Sequence, residues 1–188
     1  MLHITTLCEI TVTQRQLKEL MNLPSTTELI QCHSGTTNFN YDLVVDWAIE
    51  LLENNIETEY ILILASFSKP VDSRDITNYL DSALRELNLP ILTGEDALNG
   101  QVRYRLTQVL NENKVRDQLT YLYNLTLESD YKKDLMPFYL VYHGWWEFED
   151  LGANYYSKGQ TVEQLQNELK EEALKWLNEH QRDELKFT

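Results

Sequence analysis

The chain has 188 residues and a formal net charge of −14, from 30 acidic and 16 basic side chains. This length fits one domain, residues 1–188, and the acidity argues against binding to nucleic acid or to an anionic membrane, because both are contacted through clusters of Lys and Arg. The low counts of glycine and proline, six and four, favour helices over a strand-rich fold, which needs more turn residues.

The N-terminal segment predicts no secretion signal, because no basic region precedes an apolar run, and no stretch is apolar over the length of a membrane span. We therefore expect a cytoplasmic protein. Cys8 and Cys32 are the only cysteines, 24 positions apart, and are predicted to be free thiols in that reducing compartment.

The first dozen residues are rich in Thr and Ile and could form a short strand. Thr13 and Gln16 then have capping-box spacing, which predicts a helix over residues 14–21 that Pro24 ends. Residues 25–40 show little periodicity, and Gly35 with its Thr and Asn neighbours is predicted to lie in a loop.

Residues 41–54 follow with apolar side chains at helical spacing, which predicts an amphipathic helix. Residues 57–67 are ambiguous, because their ILIL sequence suits either a buried strand or a helix. The short gap after the preceding helix and the acidic first turn favour the helix.

Four further helices are predicted from periodicity and caps. One begins at Asp72 or Ser73 and ends before Pro90, two span residues 95–112 and 115–128, and the last begins with a capping box at residues 161–164. The predicted fold is therefore all-α, with six to eight helices packed as antiparallel hairpins in an irregular bundle or a short α-solenoid.

Residues 138–150 (FYLVYHGWWEFED) are unusually aromatic and can be interpreted as a central strand or as a helix. A strand would present two apolar faces, yet no partner strands are evident nearby. A helix would begin near Asp134, tolerate Pro137 in its first turn and end near Gly152. The helix is favoured, and both interpretations stay open at this stage.

Three groups of residues could carry chemistry. His143 and Glu147 are spaced as a base and its orienting acid on one helical face. Residues 32–34 place a thiol, an imidazole and a hydroxyl next to one another, although the members of a catalytic triad usually meet through the fold. The carboxylates of residues 147–150 are more typical of a solvated helix end than of a glycosidase pair. We therefore predict no catalytic residue.

Cofactor motifs are also missing from the sequence. The four histidines are scattered, no Cys/His spacing matches a zinc site, and the glycines form no phosphate-binding loop. We therefore expect neither a metal nor a cofactor.

One acidic stretch exceeds the background. No Lys or Arg occurs between Lys18 and Lys69, whereas eight acidic residues do. Five of them have the spacing of one helical ridge, and we predict that this acidic ridge is a partner-binding site: Asp42, Asp46, Glu50, Glu53 and Glu57. Like charges at such spacing each destabilise a helix by about 0.2–0.5 kcal/mol. A solvated acidic face without a partner is the simpler alternative.

These observations predict a non-enzymatic interaction protein with a basic protein partner. Its most specific form is a bacterial inhibitor or immunity-type protein that neutralises a nuclease toxin. Two alternatives stay open: a helical scaffold or adaptor that binds a peptide, and an enzyme with a site around residues 138–150.

Overall fold

The computed structural model describes residues 22–37, 39–152 and 159–180. Within these ranges the chain forms eight α-helices and no strand, so the all-α prediction is confirmed. The predicted N-terminal strand and the predicted helix over residues 14–21 lie outside the described residues.

The helices vary in length from five to eighteen residues. They are α1 (Thr27–Gln31), α2 (Asp42–Glu53), α3 (Glu59–Ala65), α4 (Ser73–Glu86), α5 (Gly94–Leu110), α6 (Val115–Glu128), α7 (Met136–Leu151) and α8 (Val162–Glu179). Two short 3₁₀ turns lie between helices, His33–Gly35 shortly after α1 and Lys133–Leu135 directly before α7.

Both ambiguous segments are helical, as favoured: residues 57–67 contain α3, and residues 138–150 lie within α7. Residues 25–40, which show little periodicity, contain α1 and a 3₁₀ turn, and Gly35, predicted to lie in a loop, is the last residue of that turn. These elements are too short to produce a periodic pattern of apolar residues.

Side-chain caps explain where several helices begin. Thr58 accepts a hydrogen bond from the backbone of Ile61, and Asp72 accepts one from the backbone of Arg74. At α8 the predicted capping box is confirmed, since Thr161 and Gln164 satisfy each other's backbone N–H groups. Gly152 ends α7 in the left-handed region, at φ 68°, where glycine is favoured.

The last four helices pack around one another as a closed bundle. Helices α5, α6, α7 and α8 each contact the next, and α8 returns to α5. Their shared core is apolar throughout and consists of Val102, Leu106, Val109, Leu119, Leu122, Leu125, Leu135, Phe138, Val141, Trp145, Leu165, Leu169, Ala173 and Trp176.

The first four helices enclose a second core, and Trp47 of α2 is among its largest buried side chains. The indole Nε1 of Trp47 donates a 3.0 Å hydrogen bond to Thr27 Oγ1, and the Thr27 hydroxyl donates to the carbonyl of Pro24 at 2.7 Å. Because all these groups are buried, the two bonds satisfy polar atoms that would otherwise lose water without compensation.

Helix α1 joins the two groups of helices by packing on α5. Glu28 of α1 forms a 2.6 Å ion pair with Arg103 of α5, and both side chains are largely buried. Next to this pair, Gly100 allows α5 to approach Cys32 closely.

That residues 1–188 form one domain stays a prediction. Across the described ranges, no helix combines the length and apolar character needed to span a bilayer.

Candidate functional site

The negative charge is concentrated in the first group of helices. Residues 22–89 contain eleven acidic and three basic side chains. The acidic ridge lies in this part of the chain, on α2 and the link that follows it. The acidic side chains therefore have few basic residues in the same group of helices to neutralise them.

The first two ridge residues hold the link between α3 and α4. Asp42 Oδ1 accepts a 2.8 Å hydrogen bond from the backbone N–H of Val71, and Asp46 forms an ion pair with Lys69. Lys69, the first basic residue after the acidic stretch, thus relieves part of the repulsion within the ridge. Asp42 and Asp46 have structural contacts that the sequence did not reveal.

The rest of the ridge faces solvent. Glu50 and Glu53 are exposed on α2, and within the described ranges neither they nor Glu57 has an ion pair. The prediction of a single helical ridge was wrong for Glu57, because α2 ends at Glu53 and Asn55 turns the chain with φ 61°. Glu57 lies in the link to α3, where it is also exposed.

A cleft with a volume of about 590 Å³ opens at the N-terminal end of α2. Asp42 and Asp72 line it, together with the rings of Phe39 and Tyr41, which pack edge to face with 5.0 Å between their centres. Hydrogen bonds from the side chain and backbone of Arg74 lower the pKa of Asp72 to about 2. Carboxylates beside aromatic faces are suited to a cationic side chain.

His33 packs behind the aromatic wall of this cleft. Its ring lies 6.3 Å from the ring centres of both Phe39 and Tyr41, and its Nε2 lies 3.1 Å from Asp81 Oδ1. The three side chains of residues 32–34 have different surroundings: Cys32 donates to the carbonyl of Glu28, His33 lies against Asp81, and Ser34 is exposed. Cys32 is buried, and Cys8, the other predicted free thiol, lies outside the described residues.

The aromatic segment of α7 is divided between core and surface. Phe138 and Trp145 are buried, and the half-buried Tyr142 stacks on Tyr123 with 4.0 Å between the ring centres. Arg116 forms a 3.0 Å ion pair with Glu149. This ion pair argues against a glycosidase-type role for the Glu149 carboxylate.

His143 and Glu147 are both half-buried on α7. No His/Cys/Asp/Glu group in the described part of the chain is arranged to hold a metal ion.

Comparisons with known proteins identify no relative of this chain, since no family model, curated protein or solved structure matches it.

One arrangement could not be found from the sequence. The guanidinium of Arg105 on α5 lies over the ring of Tyr121 on α6. The two residues are 16 positions apart, and only the packing of α5 on α6 brings them together. In the sequence, Arg105 is one of two neighbouring arginines on a helix, with nothing to distinguish it.

Proposed function

We propose that the chain is a non-enzymatic interaction protein whose acidic surface binds a basic protein partner. The observation that carries this proposal is the set of three exposed carboxylates, Glu50, Glu53 and Glu57, which have no ion pair among the described residues. The proposed surface consists of these three residues of the predicted ridge, which are exposed and have no ion pair within the described ranges. Asp42 and Asp46, of which Asp46 is also exposed, hold the link between α3 and α4 beside it.

The physical reason is electrostatic complementarity. A surface potential of one sign accelerates encounter with an oppositely charged protein and disfavours partners of the same sign. Residues 22–89, with eleven acidic and three basic side chains, provide such a potential.

The cleft at the start of α2 is proposed as the second contact. A Lys or Arg side chain of the partner would meet the carboxylate of Asp42 and the rings of Phe39 and Tyr41. A cation near an aromatic face gains about 0.5–2 kcal/mol, depending on how far it is desolvated. The exposed carboxylates would thus steer the partner, and the cleft would anchor it.

The most specific form of this proposal is a bacterial inhibitor or immunity-type protein that neutralises a basic toxin such as a nuclease. The acidity and the exposed carboxylates support it. We also propose a reducing compartment such as the cytoplasm, supported by the low cysteine content of the chain, two in 188 residues.

The test is affinity capture with native cell extract, followed by measurement of binding rates for the captured protein. The triple variant Glu50→Gln/Glu53→Gln/Glu57→Gln should lower the association rate at least several-fold at low salt, and this difference should shrink as salt rises. The dissociation rate should change less.

A matched control removes three exposed carboxylates from α8 instead. The variant Glu163→Gln/Glu171→Gln/Glu179→Gln changes the net charge by the same amount and should bind nearly as fast as the unaltered protein. If both triple variants bind alike, or if the captured partner is acidic, the proposal is wrong.

A further inference from the structure

Arg105 is a half-buried cation without a carboxylate partner among the described residues. Most cations in the described part of the chain do have one: Lys69, Arg74, Arg103, Arg116, Lys132, Lys170 and Lys175. The others there that have none are exposed to solvent, unlike Arg105: Arg85, Lys114 and Lys133. The half-buried guanidinium of Arg105 is therefore not neutralised by any carboxylate of the described residues, although the protein as a whole is acidic.

The guanidinium of Arg105 is held in place by two neighbours on α6. Its central carbon lies 3.9 Å from the ring centre of Tyr121, and its Nη1 donates a 3.2 Å hydrogen bond to Oε1 of Gln118. Gln118 is only 6% exposed, so this acceptor is fixed by the packing of α6. The ring of Tyr104 lies near the group as well, with its centre 5.1 Å from the same carbon.

The remaining donors of Arg105 are open to a ligand. Nε and Nη2 share one edge of the guanidinium, and neither donates a hydrogen bond within the described ranges, where the side-chain bond of Arg105 comes from Nη1. This edge is the one that binds both oxygens of a carboxylate or phosphate. Tyr121, which supports the guanidinium, is 51% exposed, so a ligand can approach beside it.

The environment also disfavours an uncompensated positive charge. Burial lowers the pKa of Arg105, and the groups that act on it in the opposite direction are Tyr104 and Tyr121 rather than a carboxylate. A charge that is partly removed from water without a counter-ion is unfavourable, and a bound anion would relieve this cost.

We propose that Arg105, Tyr121 and Gln118 form a binding site for an oxyanion, either a carboxylate or a phosphate group. The anion is held by the free edge of the guanidinium, while Gln118 and Tyr121 fix the orientation of that edge. The proposal is independent of the proposed function, which concerns a basic partner at the carboxylates of α2 and the link after it.

The first test follows the Nε–H resonance of Arg105 by NMR in the full chain, during separate titrations with inorganic phosphate and with acetate. Ionic strength is kept constant with chloride. We expect a saturable shift with a dissociation constant on the order of 10 mM or tighter for at least one anion, since ligands this small gain little affinity. The anion that saturates first identifies the source of the oxyanion. The Nε–H of the exposed Arg85 should shift without saturation.

The second test uses the thermal unfolding midpoint, because a ligand that binds the folded state raises it. The better anion should raise the midpoint of the unaltered protein and of the Arg85→Gln control, and should have a clearly smaller effect on Arg105→Gln. An Arg105→Lys variant should respond weakly, because lysine keeps the charge and loses the paired donors. If the Arg105 resonance does not saturate with either anion, or if Arg105→Gln and Arg85→Gln respond alike, the proposal is overturned.

Discussion

Nε2 of His33 lies 3.1 Å from Oδ1 of Asp81, which links the turn after α1 to α4. The two atoms are close without being aligned for a hydrogen bond, so the contact is mainly electrostatic. His33 is 3% exposed, and burial lowers its pKa more than the neighbouring carboxylate of Asp81 raises it. The imidazole is therefore held neutral in the folded protein near pH 7.

This pair predicts a loss of stability in mild acid. Because the pKa of His33 is lower in the folded than in the unfolded chain, where it is near 6.5, the unfolded chain binds more protons as pH falls below that value. The free energy of unfolding should decrease as the pH falls from about 6.5 through the lower, folded-state pKa. Urea unfolding at pH 7.5, 6.5 and 5.5 measures this decrease, and His33→Gln should reduce it. Equal pH slopes for the two proteins would contradict the assignment.

The two adjacent tryptophans of α7 should respond very differently to truncation. Trp145 is 5% exposed in the core of α5–α8, whereas Trp146 is 46% exposed. Trp145→Ala should lower the free energy of unfolding by about 3–5 kcal/mol, as deletions of large buried aromatics do. Trp146→Ala, the matched control, should change it by about 1 kcal/mol or less. Both values come from urea denaturation followed by circular dichroism, and similar losses would mean that the assigned faces of α7 are wrong.

The sequence predicts the helices well because apolar periodicity and caps are local signals. The capping box at Thr161 and the end of α7 at Gly152 are examples. The contacts of Asp42 and Asp46 were not predictable in this way. Their partners, Val71 and Lys69, lie more than 20 positions away in the link between α3 and α4. For the same reason the setting of Arg105 emerges only when α5 and α6 are packed together.

Gly100 illustrates a packing requirement that a sequence pattern hides. A Cβ atom at this position of α5 would lie 2.6 Å from Cys32 Sγ and 3.3 Å from a methyl carbon of Leu92. Gly100→Ala gains up to about 1 kcal/mol of helix propensity, but overpacking should cost about 1–3 kcal/mol. We therefore expect net destabilisation. Urea denaturation of Gly100→Ala, Cys32→Ala and the double variant tests the contact.

In that cycle the double variant should be more stable than the sum of the two single effects predicts, because removing the sulfur makes room for the new methyl group. The coupling should be about 0.5–3 kcal/mol. Additive effects would show that Cys32, directly after α1, does not contact α5 at Gly100.

The ridge residues should divide into two classes by their effects on stability. Asp42 accepts the Val71 N–H and lies in the first turn of α2, where negative charge is favourable, so Asp42→Asn should cost about 1–2 kcal/mol. By contrast, Glu50→Gln/Glu53→Gln/Glu57→Gln removes two repulsive pairs within α2, between Glu50 and its neighbours Asp46 and Glu53. It also removes two negative charges from the C-terminal turn of this helix. That variant should keep or raise the free energy of unfolding, by up to about 1 kcal/mol.

Urea denaturation at low and at 0.5 M salt distinguishes these classes, and any gain for the triple variant should shrink at high salt because exposed charges are screened. A partner-binding role for these carboxylates requires slower association together with undiminished stability. If the triple variant is destabilised by more than about 1 kcal/mol, the three carboxylates have structural roles like that of Asp42. Its slower association could then reflect a damaged fold, and the acidic surface would lose its support as a binding site.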